Sequence, residues 1–216
     1  MPKPGSVRVL STVALLIALS GPASAQQLPP APAPVAVSLT GASTALLVLD
    51  VAQQPCGTIP RCTALVPRIG ALTEAARRAG ALVVYSSADA RAMLAPMAQP
   101  AFLAGAVPAQ GDPVIIGNGQ DRFFESPLDK ILRARNVTTL VLTGWRINGS
   151  LLYTAVGANL RGYTVVVADD ATSAGEDYDI AIGRYQLLTQ LNANPRNEPL
   201  RRSAVTLSRT DLITFR

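Results

Sequence analysis

Histidine is absent from all 216 residues, cysteine occurs twice, and Lys3 and Lys130 are the only lysines. Each shortage excludes something. Without histidine the chain has no side chain that ordinarily titrates near neutral pH, no imidazole to ligate a metal and no imidazole base for a nucleophile. Two cysteines alone rarely complete a metal site. Aromatics make up 5% of the chain, and the basic residues fall singly or in pairs such as Arg77-Arg78 and Arg201-Arg202. With no basic stripe and few aromatics between, nucleic acid is excluded as a partner. No apolar run approaches the roughly 20 residues of a membrane-spanning helix.

The first 25 residues read as a secretory signal peptide: Lys3 and Arg8 make a positive start, residues 9–19 a short apolar stretch, and Ala23-Ser24-Ala25 a small-residue cleavage site. No cysteine stands beside that site to carry a lipid. The expected mature protein is periplasmic or secreted, with no membrane contact after cleavage. Losing Lys3 and Arg8 leaves 17 basic residues against 14 acidic ones, a net charge of +3. Residues 26–42 read as a Pro/Ala-rich disordered leader and residues 43–216 as one domain. Cys56 and Cys62 share one short loop and are expected to pair in an oxidising compartment, with free thiols or a metal pair as the alternatives.

Residues 44–50, Thr-Ala-Leu-Leu-Val-Leu-Asp, form an unbroken apolar run ending in a carboxylate, as a parallel strand buried on both faces would. Residues 65–79 carry apolar side chains at helical spacing, with Pro67 in the first turn and Gly80 as the stop. Further strands are predicted at 81–85, 113–116, 138–143, 163–168 and 204–207, and helices at 127–135, 151–160 and 179–191. Residues 87–112 read as loop with some short helix. The alternation predicts an α/β protein with a three-layer, doubly wound, mostly parallel sheet. Ligands bind beyond the carboxyl ends of such strands, which points to Asp50, the turn after Ile116 and residues 144–150.

Several motifs follow one another within residues 44–215. They are Leu49-Asp50-Val51-Ala52-Gln53, Gly111-Asp112-Pro113-Val114, Phe123-Phe124-Glu125-Ser126-Pro127-Leu128, and the block from Thr143-Gly144-Trp145-Arg146 through Ile147-Asn148-Gly149-Ser150 to Thr154-Ala155. Arg161-Gly162-Tyr163 and a Val-rich strand running to Asp170 come next. Together they resemble the isochorismatase-like (cysteine hydrolase) family, which implies that family's Rossmann-like fold and a small-molecule ligand. Oligomers are common in the family, so a homo-oligomer is implied as a candidate assembly. Nicotinamidase-type relatives hold a metal through histidines after the first strand. This chain has none, so no metal and no cofactor are expected, and the loop from Cys56 to Cys62 is expected to brace that region instead.

By the same resemblance the family's catalytic aspartate falls on Asp50, its nucleophilic cysteine on Ser150 and its lysine on Gly117. A serine offers no comparably accessible anion at neutral pH, so the family's amide chemistry is in question. Members that cleave vinyl ethers, however, work without the cysteine and rely on the aspartate for proton delivery. Arg122 and Arg146 are candidates to hold an anionic substrate or to supply the missing positive charge, with structural or surface ion pairs as the alternative. Trp145, Asn148 and Phe123 complete the substrate-binding candidates. Against these roles stand core packing for the aromatics, a tight turn for Asn148, a helix N-cap for Ser150 and a backbone cap for Asp50. The resemblance also implies a cis peptide between Trp145 and Arg146. Two functions remain: an exported isochorismatase-like hydrolase with Asp50 as acid/base, and a catalytically inactive small-molecule-binding pseudoenzyme of the same fold.

Overall fold

The computed structural model describes residues 30–88, 100–117, 119–190 and 205–216. The expected signal peptide lies outside the described residues, as do the start of the leader and predicted positions 191 and 204. Among the described residues there are eight strands: β1 (Val37–Leu39), β2 (Thr44–Leu49), β3 (Leu82–Ser87), β4 (Val114–Ile116), β5 (Thr139–Trp145), β6 (Thr164–Ser173), β7 (Thr206–Ser208) and β8 (Ile213–Phe215). The helices of seven residues or more among the described residues are α1 (Val66–Arg78), α2 (Leu128–Ala134), α3 (Leu152–Leu160) and α4 (Asp177–Thr189).

Six strands form one parallel sheet in the order β4-β3-β2-β5-β6-β7. Every residue of β2 is buried, which is why its sequence shows no polar alternation. Its side chains point alternately to two cores. Leu47 and Leu49 pack with Leu128 and Leu132 of α2, Leu151 of the turn before α3, Ala155 of α3 and Leu187 of α4. Leu46 and Val48 pack with Ile69, Leu72 and Ala76 of α1 and with both cysteines. Helices thus cover both faces, giving the three layers expected. The chain winds outward in one direction from β2 and in the other from β5, so the topological switch point lies between their carboxyl ends.

Gly144 makes the approach of those two strands possible. It has φ +108°, and a Cβ there would lie 2.1 Å from the Leu49 carbonyl oxygen.

Two segments differ from the sequence expectation. Val37–Leu39 is not disordered leader: β1 pairs in parallel with β8, and the Val35 amide donates to the Leu207 carbonyl at 3.0 Å. The preceding prolines hide a three-residue strand whose partner, β8, lies far away in sequence. β6 also runs on past residue 168, because an irregularity lets the ladder resume at Gly144 and Thr172. Asp169 and Asp170 are accommodated there by Arg184, at 2.7 and 2.9 Å, and by Thr210, at 2.8 and 2.7 Å. Among the described residues no helix is long and apolar enough to cross a membrane.

Candidate functional site

Asp50 follows the last residue of β2 in the left-handed region, φ +57°, a conformation aspartate tolerates better than most residues. The turn aims its carboxylate across the switch point. Its amide donates to the Ser86 carbonyl at 3.1 Å, and Ser86 Oγ donates back to Asp50 Oδ1 at 2.9 Å. Oδ2 receives Arg122 Nη2 at 2.5 Å and Ser150 Oγ at 2.6 Å. Asp50, Ser86, Arg122 and Ser150 are all at least nine-tenths buried. The Ser150 hydroxyl has one proton and two acceptors in reach, since the Trp145 carbonyl lies 2.9 Å away.

Ser150 reaches this position because β5 runs into the wide turn Ile147–Leu151 before α3 begins. It does not cap α3: the residue in that place is Leu151, and no side chain bonds the first-turn amides. The Trp145–Arg146 peptide is cis. Arg122 lies in the segment before α2, its amide tied to Thr154 Oγ1 of α3 at 3.1 Å. Its Nη1 donates to the carbonyls of Gly117 at 2.9 Å and Gly119 at 2.8 Å. A Cβ at Gly117 would lie 3.8 Å from that Nη1, so the guanidinium fills the space beside the position that carries no side chain.

These groups floor a cavity of about 340 Å³, also lined by Trp145, Arg146, Asn148, Gln120, Pro55 and Ala88 among the described residues. Arg146 stands at its side, with Nη2 3.1 Å from Asp179 Oδ2 and its guanidinium 5.8 Å over the Trp145 ring. Asn148 Oδ1 is buried without a hydrogen-bond partner. Phe123 is not in the cavity. It lies in the core beyond, stacked on Tyr163 at 5.9 Å, with Arg161 4.6 Å over its face, because Asp121 takes its amide at 2.9 Å and turns the chain inward. Burial pushes the Asp121 carboxyl upward, opposed by that amide and by Arg161.

Four contributors went unread in the sequence: Ser86, Ala88, Gln120 and Pro55. Ser86 had a signal, since the carboxyl end of β3 must lie beside that of β2 in a parallel sheet, where Leu49 pairs with Ser86. Gln120 and Pro55 lie in loops with no such rule. Pro55 sits in the helical turn Gln53–Cys56, after a cis Gln54–Pro55 bond, and Pro60–Thr63 forms a second turn. Cys56 and Cys62 join the two turns as a disulfide with Cα atoms 5.4 Å apart, so they are neither free thiols nor a metal pair. Among the described residues no group of three or more Cys, Asp or Glu side chains is placed to hold a metal.

The doubly wound α/β domain brings a buried carboxylate, hydroxyl and guanidinium together at the switch point, where such folds place their ligands. Residues 44–194 match the isochorismatase domain family, and the chain belongs to that family. No curated protein matches. Among solved structures, N-carbamoylsarcosine amidase from Thermoplasma acidophilum is similar at 23% identity and TM-score 0.61, covering 78% of this chain and 97% of that one. A cysteine hydrolase from Pseudomonas syringae pv. phaseolicola is similar at 21% identity and TM-score 0.62, covering 83% and 94%. A nicotinamidase from Staphylococcus aureus is similar at 18% identity and TM-score 0.57, covering 65% and 88%. At these identities the likeness is one of fold.

Proposed function

We propose that the chain is an exported isochorismatase-family hydrolase acting on a small molecule, with Asp50 as acid/base and Ser150 at the position where the family it resembles carries cysteine. The observation that carries this reading is the 2.6 Å contact between Ser150 Oγ and Asp50 Oδ2 at the floor of the cavity. Asp50 takes a proton from Ser150, or from a water in its place, as the oxygen attacks the substrate. It then returns that proton to the departing group. Arg122 keeps Oδ2 aimed at the hydroxyl, and being permanently protonated it positions without shuttling. An alcohol must lose its proton as it attacks, so esters suit this site better than unactivated amides, while a vinyl ether draws instead on proton delivery from Asp50 and attack by water. Export is supported by the apolar segment at residues 9–19, the small residues before Gln26 and the disulfide in the following domain.

The second reading, a binding protein without turnover, is favoured by one observation: both oxygens of Asp50 already accept hydrogen bonds, Oδ1 from Ser86 and Oδ2 from Arg122 and Ser150. The mature protein, its first residue identified by N-terminal sequencing, is to be screened against esters, vinyl ethers and amides beside Asp50→Ala and Ser150→Ala. Turnover lost only in the aspartate variant indicates acid/base catalysis of water attack. Equal loss in both makes Ser150 the nucleophile. A parent that binds ligand and turns nothing over overturns the hydrolase in favour of the binding protein.

A further inference from the structure

The charges around the cavity do not cancel from within. Among the described residues lining it, three are charged: Asp50, Arg122 and Arg146. Asp50 and Arg122 neutralise each other at 2.5 Å, both nearly fully buried. Arg146 is left over. Its carboxylate contact among the described residues, Asp179 in the first turn of α4, does not line the cavity, and the side chains in that pair are 47% and 28% exposed. An ion pair so open to water contributes little, so exchanging its carboxylate for another is cheap. The guanidinium stands over the Trp145 ring, which lines the same wall, and Asp179 engages a single nitrogen, Nη2. A planar fork in this setting has donors to offer a ligand carboxylate, and a bidentate pair is stronger than the single contact it replaces.

We propose that Arg146 is a specificity-determining residue that selects small substrates carrying a carboxylate, releasing Asp179 to grip it while the reacting bond lies toward Ser150. The inference rests on the reading of this cavity as a substrate site and names the class of substrate it takes. A second anchoring charge is unnecessary, because the floor pair is neutral and the described residues lining the cavity carry one positive charge between them. A neutral ligand of the same shape leaves Arg146 on Asp179 and gains nothing from it. Position 179 is therefore a competitor for the ligand.

The test is calorimetric binding of two matched pairs, succinamate with succinamide and N-acetylglycinate with N-acetylglycinamide, to the parent, Arg146→Gln and Asp179→Asn proteins. The parent is expected to bind each carboxylate about tenfold more tightly than its neutral partner. Arg146→Gln is expected to bring both ratios to about one. Asp179→Asn is expected to tighten the carboxylates a few-fold without changing the neutral ligands, and it stays informative if the arginine variant does not fold. Equal binding of both members by the parent, no binding of either carboxylate, or a preference untouched by Arg146→Gln overturns the proposal. Binding is read without turnover, so the two readings fail separately. A protein that prefers carboxylates and hydrolyses nothing sinks only the hydrolase, and one that hydrolyses charged and neutral members alike sinks only this selection.

Discussion

Arg122→Met would strand the Asp50 carboxylate. In the parent the two side chains are 3% and 4% exposed and 2.5 Å apart. Methionine replaces much of the arginine stem and none of its charge, so Oδ2 keeps only the Ser150 hydroxyl and Oδ1 only Ser86. Removing one partner of a buried ion pair costs about 3–5 kcal/mol, because the remaining charge is uncompensated. The carbonyls of Gly117 and Gly119 also lose their donor, but both residues are only partly buried and water replaces it. The ion pair therefore sets the magnitude. With a urea m value of about 2 kcal/mol/M for a domain of this size, the unfolding midpoint falls by about 2 M. The assay is equilibrium urea unfolding of the disulfide-intact protein, followed by the fluorescence of Trp145. Adding Asp50→Asn to Arg122→Met removes the stranded charge and recovers at least half of the loss, a coupling that a double-mutant cycle isolates. A midpoint shift below about 0.5 M for Arg122→Met, or a double variant no more stable than the single one, refutes the argument.

Two other outcomes follow from features outside the carboxylate cluster. Cys56 and Cys62 close a loop with a sequence separation of 6, for which chain entropy alone gives about 2 kcal/mol, so Cys56→Ala/Cys62→Ala should lower the urea midpoint by about 1 M; an unchanged midpoint means the loop is held without it. Burial, reinforced by the hydrogen bond it donates to Asp129 at 2.8 Å, pushes the Tyr163 phenol up to about 12. Its folded value lies above the ordinary one near 10, so its contribution to stability is complete below about pH 10 and is lost as pH rises towards 12. Tyr163→Phe should flatten the alkaline decline of stability across that window, and a decline identical to the parent's counts against the assignment.

Much of the sheet was legible because buried parallel strands are written as apolar runs. Residues 44–50 and 138–143 announce the two innermost strands, and the rule about strand carboxyl ends points at once to Asp50 and to residues 144–150. What resisted reading depended on partners far away in sequence. β1 is three residues between prolines and turns, with no periodicity until β8 lies beside it. The end of β6 was obscured by Asp169 and Asp170, whose charges suggest a loop until Arg184 and Thr210 are seen to take them. At the site, the residue type at 122 and its nearness to the switch point raised it as a cation, but only three dimensions distinguish its buried contact with Asp50 from the more open one between Arg146 and Asp179. Phe123 was misplaced because one aspartate turning its amide inward cannot be anticipated from spacing.

The seam between Val37–Leu39 and Ile213–Phe215 ties the order of synthesis to the order of folding. Val37–Leu39 is made well before Ile213–Phe215, so this ribbon stays unzipped until the later strand has been made. Deleting residues 213–216 would strip Val37–Leu39 of its paired strand, and damage at position 216 would be felt at position 41, whose amide donates to the Arg216 carbonyl.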